Sequence, residues 1–217
     1  MRTKTILLTA ALGLASVAGS MAQTFSVNVV GYVNVTLANG FNLLGNPLVS
    51  SNNNAIAQVL PSVPDGSVVY KLKPDGTFNT DINSGGSWFD TVTETPSTTT
   101  LAPGEGFFLF SPSVSNITFV GEVKTGTNTV ALPAGFALVS SVVPQAYSLI
   151  GTNFPVVDGY QHYALVGSSY NVSIALGGAW YDTQTEAPVD VAAAPAKGFF
   201  IFNNGSSNNW TRAFSVQ

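Results

Sequence analysis

One block of this sequence occurs twice, 92 positions apart and without a gap. Gly85-Gly86-Ser87-Trp88-Phe89-Asp90-Thr91 returns as Gly177-Gly178-Ala179-Trp180-Tyr181-Asp182-Thr183. The match continues through Thr93-Glu94 and Pro96, answered by Thr185-Glu186 and Pro188. It closes on Gly106-Phe107-Phe108-Leu109-Phe110, answered by Gly198-Phe199-Phe200-Ile201-Phe202. Internal repetition predicts two copies of one supersecondary unit before any single residue is interpreted. It also sets how a conspicuous residue is weighed, because a feature present in both copies reads first as scaffold.

The units are made of strands. Short runs rich in Val, Phe, Tyr, Thr and Ile alternate with Gly, Pro, Asn and Asp clusters, which is an all-β pattern. Phe25, Val27 and Val29 alternate, then Val33, Val35 and Leu37 alternate in the opposite phase, so a bulge is expected at Val30-Gly31. Lys73-Pro74-Asp75-Gly76-Thr77 has turn chemistry between two strand-like runs, and Gly167-Ser168 occupies the matching place in the second copy. One short helix per copy is expected. Asn54 would cap Ala55–Leu60, and the run from Gln145 to Ile150 would be its counterpart. The expected architecture is two tandem β-sandwich-like repeats, over 23–123 and 124–217, joined through the polar seam Lys124–Thr129.

Residues 1–22 read as an export signal, with Arg2 and Lys4, an apolar run from Ile6 to Val17, and Ser20-Met21-Ala22 as the cleavage site. That run is shorter than the roughly 20 residues a membrane span needs, and no second one follows, so no integral span is expected after cleavage. The chain holds no cysteine, which leaves core burial to hold an exported fold together. Asp and Glu number 11 against 7 Lys and Arg, and Arg2 and Lys4 would leave with the signal. An acidic chain with scattered cations has no track for phosphates, which excludes nucleic acid as an expected partner. Charged residues are only 8% of the chain, against about 25% in typical soluble domains. The resulting Asn/Ser/Thr/Gly surface suits close association with a neighbour or a polymer.

Gly40-Phe41-Asn42-Leu43-Leu44-Gly45-Asn46-Pro47-Leu48 and Leu101-Ala102-Pro103-Gly104-Glu105-Gly106-Phe107-Phe108, with Val69-Tyr70 between them, resemble a β-domain of secreted proteins from environmental bacteria. The start Ser26-Val27-Asn28-Val29-Val30-Gly31-Tyr32-Val33 resembles exported proteins of verrucomicrobia-type bacteria in particular. The likeness is strong in the first copy and loose in the second, where Ala196-Lys197 replaces Gly104-Glu105. It implies a secreted or surface β-module and no reaction.

Residues able to carry chemistry are few. The single histidine, His162, is answered by Val69 in the first copy, so a Ser-His-Asp site would depend on one unrepeated residue. Asp75, Thr77, Asn79, Asp81 and Asn83 put oxygen at every second position, the pattern of one edge of a calcium site, but they miss the calcium-loop template. Asp90 with Glu94, repeated as Asp182 with Glu186, would serve a glycosidase if each pair were about 5–9 Å apart. Repetition with identical neighbours favours a turn-capping role instead. Trp88, Trp180 and the run Phe107–Phe110 read as core, the latter buried on both sides. Trp210, Tyr160 and Asn209 are the candidates for ligand contact, as loop aromatics and amide of a carbohydrate-binding module.

The sequence thus points to an exported, non-enzymatic structural or adhesion module with no cofactor, contacting protein or polysaccharide at the cell surface and pairing with itself through edge strands. Carbohydrate binding is the first alternative and a small glycoside hydrolase the second.

Overall fold

The computed structural model describes residues 29–215. The expected export signal over 1–22, and the alternation at Phe25 and Val27, lie outside the described residues. The first copy comprises β1 (Val30–Leu37), β2 (Gly40–Gly45), two four-residue helical turns α1 (Ser51–Asn54) and α2 (Ile56–Val59), β3 (Val68–Leu72), β4 (Phe78–Ser84), β5 (Ser87–Asp90), β6 (Gly106–Ser111) and β7 (Ser115–Glu122). The second comprises β8 (Gly126–Leu132), β9 (Gly135–Ser140), β10 (Tyr147–Ser148), β11 (Gln161–Val166), β12 (Ser169–Leu176), β13 (Ala179–Asp182), β14 (Ala192–Ala193), β15 (Gly198–Asn203) and β16 (Asn208–Phe214). The fold is all-β, as the alternation predicts.

Each copy pairs its strands in the same way. The order β2-β6-β3-β4-β5 in one five-stranded sheet is repeated as β9-β15-β11-β12-β13 in the other. A two-stranded sheet, β1-β7 or β8-β16, accompanies each, and the second copy adds the short pair β10-β14. One core lies around Leu37, Leu44, Val69, Trp88, Phe107 and Phe119, and the other around Leu132, Val139, Tyr160, Trp180, Phe199 and Trp210. Full burial of side chains of this size contributes about 1.5–3 kcal/mol each, which lets a chain without disulfides hold its shape.

Local chemistry explains the tightest turns. Ser84 pairs with Ser87 across Gly85-Gly86, whose φ angles of 59° and 79° are those of a two-residue primed turn open mainly to glycine. Gly177-Gly178 repeats it between Leu176 and Ala179.

Several expectations are corrected. β1 pairs with β7 in unbroken register from Val30↔Glu122 to Leu37↔Ser115, so the Val30-Gly31 step is in the ladder and not a bulge. The similar segments Val30-Gly31-Tyr32 and Val120-Gly121-Glu122 are cross-strand partners. Asn54 caps nothing, because its side chain accepts the Ser50 N–H, and Ala55 precedes α2 without a side-chain cap. The run from Gln145 to Ile150 is not helical. Tyr147 and Ser148 pair with Ala193 and Ala192, and Leu149 donates to the Val191 carbonyl, so the passing chain satisfies this backbone. The seam is shorter than expected, since Gly126–Thr129 already belongs to β8.

The copies also bond to each other. Leu44 bridges to Lys197, and the equivalent Val139 bridges to the equivalent Glu105. Gly45 N–H donates to the Ala196 carbonyl at 3.0 Å, and Ser140 N–H donates to the Gly104 carbonyl at 2.9 Å. These matched pairs relate the copies by an approximate two-fold axis.

Candidate functional site

Strand alternation sends Phe107, Leu109, Phe199 and Ile201 inward, and Phe108, Phe110, Phe200 and Phe202 to the opposite face. Neither sheet has a second layer of described residues over that face. The expectation that the Phe107–Phe110 run is buried on both sides is therefore wrong, since Phe108 and Phe110 are half-buried on the outside. The reason is that a single covering layer suffices for an antiparallel sheet.

Ring contacts knit this outer face together. Phe41 lies 5.7 Å from Tyr70, 6.1 Å from Phe108 and 5.4 Å from Phe110, between ring centroids. In the second copy Phe136 lies 5.7 Å from Tyr163, 6.5 Å from Phe200 and 4.8 Å from Phe202. Phe108 and the equivalent Phe200 touch at 5.6 Å, which joins the two halves of the face across the approximate axis. Phe78 and its counterpart Tyr170 lie further out, at 39% and 38% exposure, while Phe41 and Phe136 are 51% and 57% exposed. Five outward positions are thus aromatic in both copies. Val68, Leu72, Thr80, Ile82, Leu165 and Val172 share the face in register, and none of these residues is charged. The face is contiguous and apolar.

The residues singled out from sequence lie elsewhere. Trp210 has no exposed surface, and its Nε1–H donates to the Thr152 carbonyl at 2.9 Å inside the second core. Tyr160 is buried in the same core. Both rings are interior to the second core and are not presented on loops as expected, whereas Asn209 is exposed on β16. Register makes Trp210 the counterpart of Ile117, since each pairs with the corresponding valine, Val130 or Val35.

The carboxylate pairs cap turns. Asp90 Oδ1 accepts from the N–H groups of Val92 and Thr93 and from the Thr93 hydroxyl. Asp182 Oδ1 accepts from Gln184, Thr185 and the Thr185 hydroxyl in the same manner. Backbone donation from Thr93 and Val92 holds the Asp90 carboxyl below the usual carboxylate range, and Thr185 with Gln184 does the same to Asp182. A glycosidase acid needs the opposite shift. Of the alternating oxygen row, Asp75 bonds Thr77 within its own turn, and Asn79 donates to Asp81 and Thr99. His162 is buried with its ring centroid 4.9 Å from that of Phe199, and burial pushes its pKa down to about 4.

The outer edges of β5 and β13 are covered by the chain itself. On β5 the Trp88 carbonyl accepts from Ser97, and the Asp90 N–H donates to Thr95; on β13 Trp180 and Asp182 are met in the same way by Val189 and Ala187. These two edges are thus occupied by their own following loops, with Pro96 or Pro188 in the bridge.

No protein-family model, no curated protein and no solved structure matches this chain. Among the described residues no helix is long and apolar enough to cross a membrane.

Proposed function

We propose that this is an exported, non-catalytic β-module of the cell surface or extracellular space, acting in structure or adhesion through the aromatic outer face of its two large sheets. The single observation that carries the reading is that face: ten aromatic rings in five repeat-related pairs, with no charge among them. Duplication has kept the outward aromatics as faithfully as the buried tryptophans, although exposure gives them no part in either core. The resemblance to secreted proteins of verrucomicrobia-type bacteria supports export. The partner that fits is an apolar protein surface. The rings of the second copy meet at 48–89°, so they offer no coplanar platform for a sugar.

The test is cell fractionation together with surface retention of two chains, the natural one and one carrying Phe41→Ser with Phe136→Ser. The natural chain is expected in the extracellular or surface fraction. The variant should be exported and folded yet released into the medium. Retention of the natural chain in the cytoplasm, or equal surface retention of both chains, would refute the reading.

A further inference from the structure

The duplication supplies an internal control that exposes a second site. In the first copy β3 and β6 part beyond the Tyr70–Phe108 pair, and Lys71 plugs the gap. Its ammonium donates to the Thr100 carbonyl at 2.7 Å and to Glu105 Oε2 at 2.9 Å, and that same oxygen accepts the Ala102 N–H. In the second copy β11 and β15 part at the equivalent Tyr163–Phe200 pair. There the plug is gone: Ala164 stands for Lys71, Ala192 for Thr100, Ala193 for the buried Leu101, and Lys197 for Glu105.

What remains is a cavity of about 390 Å³ between the second copy and strand β2 of the first. Its lining includes Phe41, Ala164, Ala192, Phe199, His162 and Lys197, and it contains no acidic residue. His162 is 94% buried, packed against Phe199 and Trp180, and no described group hydrogen-bonds its imidazole. The scaffold role at this position is met by a valine in the first copy, so a histidine here is not required by the fold. Lys197 is exposed and makes no ion pair among the described residues. The Ala194 N–H has lost the carboxylate that Glu105 offers to Ala102, because Lys197 brings no acceptor.

We propose that this cavity binds a small organic carboxylate with a short apolar body. The carboxylate takes the place that Glu105 fills in the first copy, between the Ala194 N–H and the Lys197 ammonium, and the apolar part lies over Ala192, Ala164 and Phe199 toward the His162 ring. A charge-assisted bond to lysine and a backbone N–H is the pairing seen intact in the first copy, with the lysine on the other side. The volume is at the lower end of ordinary ligand pockets, which suits a ligand of few heavy atoms. Phe41 borders both this cavity and the aromatic outer face, but the groups that would hold the carboxylate, Ala194 and Lys197, are not part of that face, and the site does not depend on the face's role.

The chain's only histidine gives an unambiguous reporter. Butyrate and benzoate are titrated into the full chain while the His162 imidazole resonances are followed by NMR, with butanol and butylamine as uncharged and cationic controls. A saturable shift with the carboxylates alone is expected, weakened about tenfold or more in Lys197→Gln, which removes one charge-assisted bond at an exposed position. Ala164→Lys combined with Lys197→Glu rebuilds the first copy's plug and should abolish the shift. Absence of a saturable shift, equal response to butanol, or unchanged affinity in a folded Lys197→Gln chain would each overturn the proposal. The last variant alters a surface side chain, so the test survives if the double variant fails to fold.

Discussion

Gly45 and Ser140 hold equivalent places in the two copies and press against each other. A Cβ built on Gly45 would lie 2.0 Å from both the Cβ and the Oγ of Ser140. The contact is where β2 and β9 cross, beside the hydrogen bonds that link the copies. One of the two equivalent residues must lack a side chain for the backbones to approach this closely.

Gly45→Ala is therefore expected to destabilise the protein by about 3 kcal/mol, as overpacking at a rigid backbone contact does. Adding Ser140→Gly should restore more than half of the loss, because it moves the missing side chain to the other copy. Denaturant unfolding of the two single variants and the double variant measures this coupling.

Trp210→Ala should lower stability by about 3–5 kcal/mol, the usual result of removing a fully buried tryptophan. Surface retention mediated by the aromatic face should persist below the lowered unfolding midpoint. Loss of retention in a chain still folded at the assay temperature would return Trp210 to the contact surface.

His162 makes stability fall in mild acid. Burial lowers its folded pKa to about 4 from an ordinary value of about 6.5, so the unfolded chain binds more protons between these limits. Its contribution is complete above pH 6.5 and is lost as pH falls toward 4, to a total of about 3 kcal/mol. Chemical denaturation across pH 4–7 should show this slope in the natural chain, and His162→Val should flatten it.

Asp90→Ala and Asp182→Ala should each lower the melting temperature, because three donors in the following turn lose their acceptor. Asp90→Asn keeps an accepting oxygen and should melt close to the natural chain. A catalytic carboxylate would instead show in activity, lost equally in Asn and Ala.

Much of this was legible from particular residues. Gly85-Gly86 and Asp90 act within a few positions of themselves, so their turn and its cap follow from local chemistry. The buried Trp88 and Trp180 were readable from the repeat. The outer face was not. Phe107–Phe110 looks the same in sequence whether one or both faces are covered, yet Phe41/Phe136, Tyr70/Tyr163 and Phe78/Tyr170 already marked it as five matched pairs with Phe108/Phe200 and Phe110/Phe202. Trp210 was misread because its match to Ile117 emerges only from strand register, not from residue likeness.

By itself the sequence determined a duplicated, cysteine-free set of strands and the tight turns between them, because alternation and turn geometry are properties of short stretches of chain. Only the tertiary structure decided which aromatic face stays uncovered, how Gly45 meets Ser140, and that Ala164 and Lys197 leave a hollow where Lys71 and Glu105 close one. Each of these depends on segments distant in the chain meeting across a sheet or between copies, and no local pattern encodes which neighbour will be there.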